Sequence, residues 1–250
     1  MSYAPPLDTL IAAPIAHRGL HDAARGVIEN TARAVQAAIG RGYGAEVDVQ
    51  SSADGEAMVH HDDALGRLTD GSAPLASLTA AELARVTFRA GADRIMPLGE
   101  LIDLVGGRVA LLVEIKSRFD GDVRLARRCA QVLASYPGPC GVMSFDPAVV
   151  LAVRQAAPRL LRGIVAERRF MAPAWKIAPA IHTFTLAHLL HAARTRPHFL
   201  AYRVDDLPAP ASRLARALAV PVLTWTVRTE AQRERAARWA DQMIFEGFLP

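Results

Sequence analysis

In the stretch AEVDVQSSADGEAMVHHDD, residues 45 to 63, two acids stand where a strand is normally apolar. Glu46 and Asp48 alternate with Val47 and Val49, so in an extended chain both carboxylates point to one face. Two like charges on one face repel, and burying them unpaired is expensive. Glu114 and Lys116 repeat the same spacing at the end of VALLVEIK (109 to 116). His17 and Arg18 end PIAHR (14 to 18), and His60, His61, Asp62 and Asp63 end or follow AMVHH (57 to 61). A divalent cation, Mg²⁺ or Ca²⁺, bound by oxygens at ~2.0–2.6 Å would resolve the repulsion and take a phosphate oxygen. Arg18 and Lys116 would neutralise the remaining phosphate charge, and histidines would move protons on either side of the phosphorus.

Each residue alone has a plainer reading. An acid at a strand end is commonly a salt-bridge partner or a loop cap, and a lone histidine a satisfied structural residue. Four separate segments with one pattern weaken that reading. Lys116 weakens it further, because 29 basic residues include just two lysines, Lys116 and Lys176.

These residues need elements to bring them together. Nine strand-like runs lie at 14–18, 45–49, 57–61, 109–116, 141–145, 162–166, 198–204, 221–227 and 242–246. Helix candidates separate most of them. NTARAVQAAIGRG carries a capping Asn30 and stops at Gly40 or Gly42, LTAAELARV has the Thr79–Glu82 capping-box spacing, and GDVRLARRCAQVLASYPG stops at Pro137-Gly138. Apolar runs alternating with helices predict a parallel sheet covered by helices, a TIM (β/α)8 barrel before a doubly wound open sheet. In such barrels the chemistry sits at the C-terminal strand ends. The runs at 45–49 and 57–61 are the misfit, because QSSADGE is short for a parallel crossover and Asp54-Gly55 suits a hairpin. An antiparallel return is expected to carry the end of AMVHH away from the end of AEVDV; a bare loop starting a parallel strand is the alternative.

A chain of 250 residues, 51% hydrophobic and 22% charged, can bury one large core, and no linker or repeat divides it. One domain spanning 1–250 is expected. No apolar run approaches the ~18 residues that span a bilayer, and MSYAPPLDTLIAAP is broken by Pro5, Pro6 and Asp8, unlike a signal peptide. Cys129 and Cys140 have no metal-binding spacing, and a reducing cytoplasm is the default. The net charge of +4 suits an anionic small molecule. RTEAQRERAARW (228 to 239) mixes acids and bases at helical spacing, as a solvated helix face does, so no nucleic-acid partner is expected.

IAHRG (15–19), ENT (29–31), EVDVQSSADG (46–55), VHHDDALGRLTDG (59–71) and VEIK (113–116) resemble the glycerophosphodiester phosphodiesterase family. So do MPLGEL (96–101), SFDP (144–147) and TWTV (224–227), in order along the chain from about residue 14. The resemblance implies a TIM barrel of the phospholipase C-like type. It also implies metal-dependent hydrolysis of a small-molecule glycerophosphodiester to glycerol 3-phosphate and an alcohol. Carried over, Glu46, Asp48 and Glu114 are the metal ligands, His17 and His61 the general acid/base pair, and Arg18 and Lys116 the phosphate binders. Asn30 lies near the metal or phosphate, and motif register selects His61 over His60. The nucleophile is water or the glycerol 2-hydroxyl. Family placement also favours a parallel third strand.

The chain departs from the family where Arg228 replaces the Asn of Trp-Thr-Val-Asn, where Phe245-Glu246-Gly247-Phe248 replaces Thr-Asp-x-Pro, and where Glu-Asn-Thr lacks its preceding Pro. None of these belongs to the metal set, and the first two, on the later barrel strands, are expected to alter the pocket for the alcohol or glycerol end. Phe145 and Trp225 sit at strand ends as pocket wall or as core. His182, His188, His191 and His198 have no acid cluster that would make them a second metal site. Two other functions fit the same barrel: a lipid-headgroup phospholipase D or cyclising lyase, and a non-catalytic phosphate-binding barrel.

Overall fold

Alternation within short strands gives this chain two apolar surfaces, one turned inward and one turned to a layer of helices. The computed structural model describes residues 7–168 and 180–250. Its strands are β1 (Ile15–Ala16), β2 (Gly44–Ser51), β3 (Ala57–Val59), β4 (Leu111–Ile115), β5 (Cys140–Ser144), β6 (Leu161–Ala166), β7 (Phe199–Arg203), β8 (Val222–Val227) and β9 (Gln242–Phe245). Eight of them are parallel and close on themselves, because β1 pairs with β2 on one side (Ile15↔Gly44) and with β9 on the other (Ile15↔Ile244). The expected TIM (β/α)8 barrel is therefore formed, and the open-sheet alternative is excluded.

The inward residues Ile15, Leu112, Met143, Leu161, Val165, Phe199, Leu223 and Ile244 pack as one cluster, joined by Leu10 of the short helix Leu7–Leu10. Outward residues such as Val47, Val49, Val113 and Val142 pack against Val35, Leu101, Cys129 and Val153 of the surrounding helices. The barrel is filled, and only its mouth offers space for polar groups. Phe199 fills it so tightly that a Cβ at Gly163 would lie 2.1 Å from the ring. Among the described residues, no helix is long and apolar enough to cross a membrane.

The ninth strand corrects two expectations. β3 runs antiparallel to β2, pairing Val49 with Val59 and Ser51 with Ala57, so the parallel placement favoured by the resemblance is overturned. Nor does the antiparallel return carry the following histidines away. β2 continues past Asp48 to Ser51, the chain turns through Asp54 and Gly55, and the return brings the His60 N–H onto the Asp48 carbonyl at 3.0 Å. Gly55 takes a positive φ of 82° in that turn, a conformation that glycine adopts without steric conflict.

Capping follows local chemistry with one correction. Thr79 and Glu82 form the expected capping box at Ala80–Leu83. The helix Ala32–Gly40 is capped by Thr31, whose hydroxyl accepts from Ala34 N, and not by Asn30, whose side chain is used elsewhere. In SFDP, Asp146 caps the helix Pro147–Ala156 through Ala148 N at 2.8 Å.

Gly163→Ala should lower stability by about 1–3 kcal/mol, since the Phe199 ring is fully buried and has no room to yield. At roughly 2–4 °C per kcal/mol, that is a fall of several degrees in Tm by calorimetry. An unchanged Tm would mean that ring and glycine are not in contact.

Candidate active site

The β2–β4 register sets Asp48 directly beside Glu114, and Glu46 lies two residues earlier on the same face of β2. All three carboxylates are buried. Each offers an oxygen within 4.8 Å of the others. Glu46 Oε2 accepts the Arg18 N–H at 2.9 Å, whereas Glu46 Oε1 is buried with no hydrogen-bond partner. That orphaned oxygen, in a set made solely of hard oxygen donors, fits a divalent cation such as Mg²⁺ or Ca²⁺. Burial first, then the charges of Asp48 and Glu114, push the Glu46 carboxyl well above the usual carboxylate range.

Asp48 is the hub of the surrounding charges. Lys116 Nζ lies 2.7 Å from Asp48 Oδ1 and 2.5 Å from Glu114 Oε1. Arg18 Nε lies 3.2 Å from Asp48 Oδ2. Asn30 clamps the same residue, donating from Nδ2 to Asp48 Oδ2 at 2.9 Å and accepting the Asp48 N–H on Oδ1 at 3.0 Å. Burial opposes ionisation of Asp48, but Lys116 and Arg18, aided by His61 and His17, hold its pKa well below the ordinary value. Lys116 answers in kind: desolvation would lower it, and Asp48 and Glu114 raise it well above a free lysine.

Backbone geometry aims these groups. After the two residues of β1, Arg18 (φ 55°) and Gly19 (φ 76°) both take left-handed conformations. The turn directs the Gly19 N–H at the Glu46 carbonyl, 3.0 Å away. A Cβ at Gly19 would meet the Ala34 backbone at 2.7 Å, so the turn admits only glycine there.

The two expected acid/base histidines stand at this mouth with matching supports. His17 Nδ1 is bonded to Glu246 Oε2, and Glu246 Oε1 accepts from Arg228 Nε at 2.6 Å. His61 Nδ1 is bonded to Asp62 Oδ1 at 2.8 Å, and Asp62 Oδ2 accepts from Arg67 Nε at 2.6 Å. Desolvation, reinforced by Lys116 and Arg18, lowers the His61 pKa from that of a free imidazole. His60 is more deeply buried, 2% exposed, so of the adjacent pair His61 is the one that reaches the mouth.

Glu29 ties the halves together. Its Oε1 accepts from Arg18 Nη1 and from Arg67 Nη2, each at 2.6 Å. Burial would raise this carboxyl, but the Arg67 and Arg18 guanidiniums hold it at about 2. A cleft of about 570 Å³ opens beside Glu114 and Lys116, lined also by Ser117, Arg118 and Phe145. Phe145 packs edge-on against Trp225 with ring centroids 5.5 Å apart. Trp225 is anchored by Nε1 to the Ala201 carbonyl and packs on the barrel interior, while Phe145 faces the cleft. An apolar groove of about 600 Å³ beside Cys140 and Leu161 lies at the opposite strand ends, away from this chemistry.

Among the described residues, the histidines weighed for a second metal site have other partners. His188 stacks on Phe184, His191 lies beside Thr195, and His198 accepts the Arg162 N–H, while the His182 side chain falls outside the described residues. Sequence reasoning assigned no role to Glu29, Asp62 or Arg67, although all three lie in the quoted motifs. It expected Glu246 and Arg228 to alter the pocket for the alcohol or glycerol end; in the structure Glu246 is bonded to His17 and Arg228 to Glu246. The signal was their joint departure from the family pattern.

Residues 17–249 match the model of the glycerophosphoryl diester phosphodiesterase family. A curated glycerophosphodiester phosphodiesterase of Caldanaerobacter subterraneus subsp. tengcongensis is 29% identical over 182 residues, covering 69% of this chain and 73% of that protein. Among solved structures, an Oleispira antarctica phosphodiesterase in complex with the product sn-glycerol-3-phosphate superposes with a TM-score of 0.77 at 21% identity, over 94% of this chain and 93% of that one. A glycerophosphodiester phosphodiesterase of Thermotoga maritima gives 0.69 at 21% identity, over 93% and 94%.

In EDTA, Glu46→Gln should melt above wild type, because the substitution keeps the shape and removes one of three crowded carboxylates. A carboxyl with a raised folded pKa contributes stability present below its unfolded value and lost as pH rises through the folded one. The Tm gap should therefore widen as pH climbs from the ordinary value of 4.5. Added Mg²⁺, Ca²⁺ or Mn²⁺ should raise the wild-type Tm and leave the variant unmoved. A variant that melts below wild type in EDTA and still responds to metal would refute the cluster as a cation site.

Proposed function

The chain belongs to the glycerophosphoryl diester phosphodiesterase family, and on that footing we propose that it hydrolyses small glycerophosphodiesters to glycerol 3-phosphate and an alcohol, using His17 and His61 as its acid/base pair beside a divalent cation. One observation carries this reading. A buried triad of carboxylates with an orphaned oxygen lies at the same barrel mouth as two histidines, each supported at Nδ1 by a carboxylate.

Glu46, Asp48 and Glu114 would hold the cation, which when bound supplies charge neutralisation and polarisation of a phosphoryl oxygen. Arg18 and Lys116 contribute the fixed positive charge that a phosphodiester anion requires. Arg18 is held in place by Glu29, so its guanidinium is preorganised. With Nδ1 of each imidazole committed to a carboxylate, Nε2 is the nitrogen available for proton transfer. One histidine, neutral at Nε2, takes the proton of the attacking hydroxyl, and the other, entering protonated at Nε2, gives that proton to the leaving alkoxide.

The cleft beside Lys116 has the size of a small-ligand site and supports a soluble headgroup ester as substrate. Phe145 forms part of its wall. The sn-glycerol-3-phosphate held by the Oleispira antarctica phosphodiesterase is consistent with that ligand class. Cys129 and Cys140 are free and buried, as suits a reducing compartment, and we assign the enzyme to the cytoplasm.

Glycerol 3-phosphate release should be measured with the choline, ethanolamine, glycerol and inositol diesters, in EDTA and after adding back Mg²⁺, Ca²⁺ or Mn²⁺. Release is expected with metal and not without it. His17→Ala and His61→Ala should each lower kcat by about 10²–10⁴-fold. Near-wild-type turnover by either variant would remove that histidine from the mechanism. A cyclic phosphate seen by ³¹P NMR before glycerol 3-phosphate would identify the glycerol 2-hydroxyl as nucleophile, and its absence under single turnover would identify water.

A further inference from the structure

Glu246 has no place in the carboxylate cluster, yet it is among the most constrained acids at the mouth. β1 and β9 pair Ala16 with Phe245, so His17 and Glu246 are the next residues on neighbouring strands. The sheet holds both backbones: His17 N–H donates to the Phe245 carbonyl at 2.8 Å, and Glu246 N–H donates to the Val227 carbonyl at 3.0 Å. Each carboxylate oxygen has its own partner, His17 Nδ1 on Oε2 and Arg228 Nε on Oε1. His21 Nε2 stands 3.5 Å from Oε2 as a further positive-edge neighbour.

Arg228 is itself steered. Its N–H donates to Gln232 Oε1 at 2.8 Å. The salt bridge spans 18 positions, and the bond from Glu246 to His17 spans 229.

Resting on the proposed acid/base role of His17, we propose that Glu246, held by Arg228, is the positioning residue that fixes His17 in its Nδ1–H tautomer with the Nε2 lone pair free for the reaction. An ionised carboxylate only accepts hydrogen bonds, so the ring nitrogen facing it must carry the proton. Burial would raise the Glu246 carboxyl, but the hydrogen bonds from His17 and Arg228, with His21 close by, hold it far below the usual range, in the ionised form that this role requires. The arrangement at His61, with Asp62 on Nδ1 and Arg67 Nε on the second oxygen, is the same device built from residues close in sequence. Both proton carriers are thus oriented by a carboxylate that an arginine immobilises. Glu246 and Arg228 act through His17 and need not touch substrate.

Glu246→Gln presents an amide between a donor at Arg228 and a donor at His17, and one amide cannot accept from both on its two termini. Its kcat should fall by about 10²–10³-fold with KM changed less than about twofold, as when an orienting carboxylate is neutralised. Arg228→Gln should fall in the same direction by about 10-fold, and Glu246→Asp, which keeps the charge, should recover part of the loss. Histidine ¹⁵N NMR of the full-length protein should assign His17 as Nδ1–H in wild type and show a shift toward Nε2–H in Glu246→Gln. This readout does not depend on turnover. A wild type inactive on every diester with every metal would overturn the proposed reaction, and the tautomer measurement would still decide the role of Glu246. Wild-type kcat with an unchanged tautomer in a folded Glu246→Gln would overturn the positioning role. So would stoichiometric Zn²⁺ bound by wild type and lost in Glu246→Gln, which would make His17, His21 and Glu246 a metal centre. If Glu246→Gln fails to fold, Arg228→Gln, at a side chain 53% exposed, gives the same two readings.

Discussion

Three carboxylates, Glu46, Asp48 and Glu114, are packed with two cations, Arg18 and Lys116, in a barrel mouth from which most water is excluded. At an effective dielectric constant of about 20, two unit charges 4 Å apart interact by about 4 kcal/mol, a large share of the ~5–15 kcal/mol that a domain has in total. Such a cluster persists only if every neighbour serves it. The loop after β1 turns through two left-handed residues to bring the Arg18 amide onto Glu46, and Asn30 gives both ends of its amide to Asp48. Lys116 lies across Asp48 and Glu114. The charge balance still leaves Glu46 with an unpartnered oxygen, which is the feature that the proposed cation site rests on.

The same network reaches the two histidines proposed as proton carriers. Glu29 joins Arg18 to Arg67, Arg67 holds Asp62, and Asp62 holds His61. On the other side, Arg228 holds Glu246 and Glu246 holds His17. Each of these side chains is anchored to a strand end or to a loop hydrogen-bonded to one, so positions are set by the sheet. The filled interior below, with Phe199 against Gly163, confines the chemistry to the upper rim.

β3 illustrates how a deviation from the regular barrel serves this rim. A strand that simply ended at Asp48 would offer Glu46 and Asp48 but no histidine. By overshooting to Ser51 and returning, the chain places His60 against Asp48 and sets His61 at the mouth without a crossover helix. Short-range turn chemistry at Asp54-Gly55 therefore positions His61, one of the two proposed acid/base residues.

Much of this was readable from residue order. The alternation Glu46-Val47-Asp48-Val49 and the spacing of Glu114 and Lys116 determine which side chains share a face, because the two-residue period of a strand is local. The alternation of apolar runs with capped helices determines a parallel sheet covered by helices, and its closure into a barrel comes from the pairing of β1 with β2 and β9. The order of the His-Arg, Glu-x-Asp, His-Asp and Glu-x-Lys motifs points to the family. What only the tertiary structure decided is pairing between distant segments. That β3 is a hairpin arm, that Asn30 clamps Asp48 while Thr31 caps the helix, and that Glu246 reaches His17 depend on sheet register and barrel closure. A contact spanning 229 positions has no local periodicity to announce it, since it exists only once β9 returns to lie beside β1.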